Sequence, residues 1–241
     1  MKINVISVFP EFFDVLNNGI IGKALLEKII NLNIINLKKF PLNNYGSIDD
    51  SPYGGGEGMI ISALPLENAI QEVKERTHVI YLSPQGRKFD QSKSIELSKK
   101  KSITFVCGRY EGIDQRFIEE YVDEEISIGD YVISGGELAA CVAIDSICRN
   151  LHGVVGNSES VEKDSFSNGL LKGYTYTRPE AFKGKSVPKV LISGNHKKIQ
   201  DWKIANSLWV TKQKRPDLFK ELHLSEKEMI LLRDYESGKL D

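Results

Sequence analysis

Sulfur and imidazole are scarce in this chain. Its 241 residues include three cysteines, four histidines and three methionines. Cys107, Cys141 and Cys148 cannot all pair and stand in apolar surroundings, which excludes a disulfide-stapled fold and suits a reducing cytoplasm. Cys141 and Cys148, seven apart on one expected helix, read as core packing. His78, His152, His196 and His223 are scattered without zinc-type spacing, so no structural metal is expected. No apolar run reaches the length of a membrane span, and Met1-Lys2-Ile3-Asn4 reads as a first strand rather than a signal peptide. No membrane partner is expected. Internal repeats are also lacking.

Net charge is only −1, and that near-balance hides a segregation. Residues 1–170 carry 17 Lys and Arg against 24 Asp and Glu, while residues 171–241 carry 15 against 9. Within 183–215, Lys183, Lys185, Lys189, Lys197, Lys198, Lys203, Lys212, Lys214 and Arg215 are opposed by Asp201 alone. Such a run is often just a solvated helix face. Its confinement to one end of the chain points instead to a polyanionic partner. Trp202 and Trp209 have the spacing of anchors to the core of their own helix.

Short β-branched-rich segments at Ile3–Phe9, Ile34–Phe40, His78–Leu82, Ser102–Cys107 and Glu125–Ile133 alternate with helical patterns at Lys23–Ile30, Leu64–Glu75, Gln91–Lys100, Gln115–Tyr121 and Glu137–Leu151. Strand–helix alternation predicts an α/β fold, a parallel sheet with helices on both faces. The stretch around Gly156-Asn157-Ser158-Glu159-Ser160 loses apolar periodicity and reads as a flexible linker. A small helical domain follows. Its main helix is Lys197–Lys214, and its last, Ser225–Ser237, opens on Ser225 with Glu228 three residues on. The predicted domains are 1–154, a linker at 155–170, and a basic helical domain at 171–241.

Three of the expected strands run into glycine-bearing loops: Ser83-Pro84-Gln85-Gly86-Arg87, Gly108-Arg109-Tyr110-Glu111-Gly112, and Ile128-Gly129-Asp130-Tyr131-Val132-Ile133-Ser134-Gly135-Gly136-Glu137. Singly, each is compatible with an ordinary strand-to-helix turn. Side by side at the carboxyl edge of a parallel sheet, they would line a ligand crevice. Glycine pairs there let backbone approach a ligand or another chain segment closely. Two familiar nucleotide motifs fail. Gly184-Lys185-Ser186 lacks the earlier glycine of a P-loop, Pro179 standing in its place, and Gly54-Gly55-Gly56-Glu57-Gly58 never meets dinucleotide-fold spacing. The latter reads as a mobile or sharply bent loop beside a site.

Together with Ser7-Val8-Phe9-Pro10, Pro52-Tyr53-Gly54-Gly55-Gly56, Tyr176-Thr177-Arg178-Pro179 and Gly194-Asn195-His196, these loops resemble the bacterial-type tRNA (guanine-N1)-methyltransferases over essentially the whole chain. The resemblance implies a deep trefoil knot, an S-adenosyl-L-methionine (SAM) pocket inside it, a homodimer in which one subunit's C-terminal domain closes over the other's knot, and a tRNA substrate. Carried over, the pocket comprises Tyr81, Leu82, Ser83, Pro84 and Gly86 from the first loop. The second supplies Gly108, Arg109 and Glu111. The third supplies Ser127, Ile128, Gly129, Asp130, Tyr131, Val132, Ile133, Gly135 and Gly136. Magnesium dependence is suggested by the resemblance alone, since no dedicated ligand cluster stands out.

Methylating guanine at N1 requires a base for the N1 proton, a donor for charge building on O6, and in-line positioning. By resemblance, Asp164 is the base and Arg149 its partner; on the residues alone, Asp164 reads first as a helix N-cap and Arg149 is compatible with a helix C-cap. The family pattern has an acidic residue followed by Tyr-Pro-His ahead of Tyr-Thr-Arg-Pro, where this chain has Lys172-Gly173-Tyr174-Thr175. Two alternatives stay open: a related knotted methyltransferase acting on another RNA base or ribose, and a non-catalytic RNA-binding protein retaining a SAM pocket. Joint retention of Asp164 and Arg149 argues against the second.

Overall fold

The computed structural model describes residues 1–156 and 164–240, in two compact units divided between Gly156 and Asn157. The first unit is built on five parallel strands: β1 (Lys2–Ser7), β2 (Asn31–Asn36), β5 (His78–Lys88), β6 (Ser102–Cys107) and β7 (Glu124–Ser127), in the order β2-β1-β6-β5-β7. Period-2 alternation sends successive side chains to opposite faces. Ile3, Val5, Ile80, Leu82, Ile103 and Phe105 join one core cluster with α1 (Gly19–Leu26), α3 (Gln91–Ser98) and α5 (Gly136–Arg149). Ile6, Val79, Tyr81 and Val106 join the other with α2 (Ala63–Gln71) and α4 (Gln115–Tyr121). Helices therefore cover both faces, as a buried parallel sheet requires.

Caps written into the sequence start several helices. Asp90 accepts from Lys93 N at 2.8 Å ahead of α3, and Asp114 from Arg116 N at 2.9 Å ahead of α4. The second strand lies earlier than the expected Ile34–Phe40, because Asn36 caps a 3₁₀ turn at Leu37–Lys39 and stops it. The last strand is shorter than Glu125–Ile133. It ends at Ser127, where the Ser127 hydroxyl folds back on Gly129 and Gly129 takes a φ of 148°. Between β3 (Asp49–Asp50) and β4 (Ile60–Ile61), a two-strand hairpin, Gly54, Gly55, Gly56 and Gly58 all have positive φ. That hairpin docks on the loop after β6 through Glu111 N to Met59 O (3.0 Å) and Ile61 N to Gly112 O (3.0 Å).

The first glycine loop is a bulge inside a strand. Leu82 and Arg87 of β5 both pair with Ile126 of β7, so Ser83–Gly86 is extruded and the chain returns to the same partner. Pro84, with no N–H to donate, sits in the extruded part. A Cβ on Gly86 would stand 2.3 Å from Ile126 N, so only glycine lets the returning chain close on β7.

Among the described residues, the second unit holds a short β-hairpin, β8 (Ala181–Phe182) and β9 (Lys185–Ser186), and four helices: α6 (Lys189–Ile192), α7 (His196–Lys214), α8 (Pro216–Lys220) and α9 (Glu226–Glu236). Ser225 and Glu228 form the expected capping box. Trp202 is fully buried against Tyr176 and Tyr235, and Trp209 packs against Tyr174 and the same Tyr235, at centroid distances of 5.8–6.3 Å. Of the stretch expected as a linker, residues 157–163 lie outside the described residues. Residues 164–170 are turns packed on the second unit, with Leu170 in its core beside Leu208 and Leu232.

Candidate active site

At the carboxyl edge of the sheet, the extruded segment of β5 and the loops after β6 and β7 line a cavity of about 330 Å³, inside the range typical of small-molecule sites. Tyr81, Leu82, Ser83, Pro84, Gly108, Arg109, Glu111, Ser127, Ile128, Gly129, Tyr131, Val132, Ile133, Gly135 and Gly136 line it. Gly86 and Asp130 do not. Gly86 is spent on closing against β7 and faces a second cavity with His78 and Glu124, and Asp130 is exposed. Gln85, Tyr110, Gly112, Ile113 and Ser134 also line the main cavity. They fall inside or beside the same loops, so taking each loop whole would have found them.

At three of these glycines the protein's own atoms stand where a Cβ would be. A Cβ on Gly136 would lie 2.9 Å from the Cys107 Cα, and one on Gly108 would lie 2.8 Å from the Tyr81 hydroxyl. A Cβ on Gly135 would lie 2.3 Å from Arg109 Nε and 2.7 Å from Glu137 Oε2. Gly136 N donates to Gly108 O at 2.9 Å and ties the second and third loops together.

Behind this junction lies a buried polar network. The Glu137 carboxylate is enclosed, its Oε2 2.9 Å from Arg109 Nε and its Oε1 accepting from Ser7 Oγ at 2.9 Å. Arg109 also donates to Ser134 O at 3.1 Å and lays its guanidinium over the Phe9 ring at 4.7 Å. Nε and Oε2 meet as an ion pair without hydrogen-bond alignment. Three elements that wall the cavity are thereby locked to β1.

Several titratable groups at and behind the cavity are shifted by burial. Burial, with the Glu125 carboxylate adding to it, pushes the Tyr81 phenol up to about 12. Tyr110, in the left-handed region at φ 59°, is raised by partial burial and by Asp49. Burial raises the Cys107 thiol well above its ordinary value, Cys141 to about 11 and Cys148 to about 12. These thiols stay protonated at neutral pH and are poor nucleophiles. Among the described residues no cluster of His, Cys, Asp or Glu could hold a metal ion, and no helix is long and apolar enough to cross a membrane.

The two expected catalytic residues belong to different units. Arg149 is exposed in the last turn of α5, whose first turn lines the cavity. At 1.5 Å per residue this puts it about 20 Å from Gly136 within its own unit. Asp164 belongs to the second unit. Its Oδ1 accepts from Ser165 N at 3.0 Å, and Lys172 Nζ stands 3.9 Å away. The residues after it form turns, so it caps no helix there. Tyr174, where the family pattern has proline, donates its N–H to Asn206 Oδ1, a bond proline could not make. Gly173 is required beside it, because a Cβ would lie 2.5 Å from that same oxygen.

On α7, Lys197, Lys198 and Lys203 are exposed. Asp201 does not offset them, since it pairs with Lys227 at 2.9 Å, whereas Lys212 pairs with Glu236 and Arg215 with Asp217. The uncompensated charge is concentrated at the start of the helix.

An open parallel sheet with a ligand cavity at its carboxyl edge, in a chain that also carries a basic helical unit, defines an α/β protein fitted for a small molecule and a polyanion. The family model described as tRNA (Guanine-1)-methyltransferase TrmD matches residues 1–221. Relatives named tRNA (guanine-N(1)-)-methyltransferase include one from Clostridium kluyveri, 46% identical over 243 residues and covering 100% of this chain and 99% of its own. One from Buchnera aphidicola subsp. Baizongia pistaciae is 50% identical over 247 residues, covering 100% and 98%. One from Clostridium botulinum is 46% identical over 237 residues, covering 98% of each. The chain belongs to the tRNA (Guanine-1)-methyltransferase family.

Proposed function

We propose that this protein transfers the methyl group of SAM to N1 of the guanine 3′-adjacent to the anticodon in tRNA. The observation that carries this reading is the cavity, whose wall is made of the three loops that bear the family resemblance. Its residues fit such a donor. Backbone groups of three loops converge on it, the Tyr81 hydroxyl is neutral, and the Arg109–Glu137 pair closes one side with balanced charge. SAM supplies an electrophilic methyl on a sulfonium.

The remaining chemistry falls to the chain. Asp164 takes the N1 proton, which makes that nitrogen nucleophilic, and Arg149 donates to the O6 where negative charge collects. Arg149 stands a helix length from the cavity of its own chain, which supports a homodimer in which it serves the cavity of a second copy. The same helix supports this further. Its inner face is buried through Ala139, Ala143 and Ile147, while Leu138 and Val142, one turn apart, are 50% and 51% exposed. A repeated apolar stripe of this kind suits a self-complementary interface. The extrusion of Ser83–Gly86 between two pairings with Ile126 is compatible with the trefoil knot the family implies. Exposed Lys197, Lys198 and Lys203 meet the tRNA backbone. Buried, protonated thiols suit a cytoplasmic setting. Magnesium enters none of these steps.

Nucleoside mass spectrometry of tRNA incubated with the purified protein and SAM tests the proposal. N1-methylguanosine next to the anticodon is expected. Methylation of another base or of ribose, or none, would refute it.

A further inference from the structure

The basic helix α7 grips the segment that carries Asp164. Leu171 is held by both of its backbone groups: its N–H donates to Thr211 Oγ1 at 2.9 Å, and its carbonyl accepts from Ser207 Oγ. Three residues on, Tyr174 N–H is taken by Asn206 Oδ1. Two of the three gripping side chains are themselves oriented. Thr211 Oγ1 donates to Ser207 O at 2.7 Å, which leaves a lone pair for Leu171, and Asn206 Nδ2 donates to Tyr235 Oη at 2.6 Å. Asn206 and Thr211 are fully buried. Polar side chains are costly on the inner face of a helix unless their bonds are made, and here the bonds are made to this segment.

The grip reaches Asp164 through a closed loop. Lys172 N donates to Ser165 Oγ at 3.0 Å, and Phe166 N to Leu170 O at 2.7 Å, so Ser165 is fastened to the clamped residues from the other side. Asp164 precedes Ser165, and its Oδ1 accepts Ser165 N. From Asp164 to Thr211 the path runs through backbone, the half-buried Ser165 hydroxyl and the buried Thr211 hydroxyl, and the same 19-residue helix presents Lys197, Lys198 and Lys203 at its start.

We infer that Thr211, Ser207 and Asn206 are positioning residues for the Asp164 carboxylate, so that polyanion binding on α7 and delivery of the base are one rigid-body step. The inference rests on the reading of Asp164 as the base. It replaces the picture of a base on a free linker. The segment travels with α7, and RNA seated on the helix brings the carboxylate with it. A merely stabilising clamp would raise the melting temperature and leave turnover alone; a positioning clamp acts on the rate at saturating substrates.

The test uses the full chain, tRNA and SAM under single-turnover conditions. Thr211→Val should leave tRNA and SAM affinities unchanged, accelerate amide exchange at Leu171, and lower the methyl-transfer rate by about 10- to 100-fold, the usual cost of a misplaced catalytic group. Thr211→Ser, which keeps the hydroxyl, should restore it. Ser207→Ala, at a less buried position, carries the same expectation if Thr211→Val folds poorly. In an Asp164→Asn background, Thr211→Val should cost nothing more, because the group it positions is gone. Loss of rate in Asp164→Asn with full rate in both clamp variants would overturn the clamp and leave the base standing. Full rate in Asp164→Asn would overturn the base, and the clamp with it.

Discussion

Arg109 Nε lies 2.9 Å from Glu137 Oε2, and the two side chains meet in the space that a Cβ on Gly135 would take. The pair joins the loop after β6 to the start of α5 beneath the cavity. Glu137→Gln removes one charge of a nearly enclosed pair and should destabilise the first unit by about 3–5 kcal/mol. Gly135→Ala should lower SAM affinity and the melting temperature together, because its methyl displaces Arg109 before it meets any ligand. Calorimetry and thermal unfolding of both variants check this. Loss of affinity at wild-type stability in Gly135→Ala would mean that the glycine faces the donor instead.

The exposed lysines at the start of α7 give a salt-dependent prediction. Changing Lys197, Lys198 and Lys203 to Glu should weaken tRNA binding and make the slope of log affinity against log salt shallower by about two to three. SAM affinity should not move. Filter binding at several salt concentrations is the measurement; an unchanged slope would make these lysines a solvated face.

The buried thiols give a pH dependence. Burial raises Cys148 from an ordinary value near 9 to about 12, with Asp145 adding to the effect. Between those values the unfolded chain has lost the proton that the folded chain keeps, so folding stability falls as pH rises, by about 1.4 kcal/mol per pH unit for that group. Below pH 9 the contribution is fully present. Cys148→Ala should be less stable than wild type at pH 8, and the gap should narrow between pH 9 and 11. Denaturant unfolding at three pH values checks it. A gap independent of pH would contradict the assignment.

Local signals made much of this fold legible. The helix Gln115–Tyr121 is found as expected because its start is set by Asp114 one residue ahead, and the last helix because Ser225 and Glu228 cap it. The cavity loops were legible as glycine-bearing strand ends. What escaped depends on partners far along the chain. That β5 continues past Pro84 is decided by Ile126, and that Leu171 and Tyr174 are held is decided by Thr211 and Asn206. Glycine alone does not tell a ligand from another chain segment as its neighbour; beside Gly135, Gly136 and Gly108 the nearest atoms are the protein's own. Arg149 is placed by resemblance alone, and the length of α5 sets it about 20 Å along the helix from Gly136.

Arg149 therefore offers a complementation experiment. Arg149→Ala and Asp130→Ala should differ sharply, because Asp130 is exposed and lies off the cavity wall. Arg149→Ala should lower the methyl-transfer rate by about two to three orders of magnitude, the range for loss of a donor to developing charge, with SAM affinity intact. Mixing it with a Glu137→Gln chain that carries a damaged cavity should recover part of the activity if the working site takes Arg149 from one copy and the cavity from the other. No recovery in proven mixed dimers would place both in one chain.

The most direct test of the account is the pH dependence of single-turnover methyl transfer in Asp164→Asn, with SAM and tRNA both saturating. If Asp164 takes the N1 proton, the rate falls by about two to four orders of magnitude. The limb of the wild-type profile that belongs to the carboxylate disappears, and only the titration of the guanine remains. A rate within a few-fold of wild type, with the profile unchanged, would contradict the account.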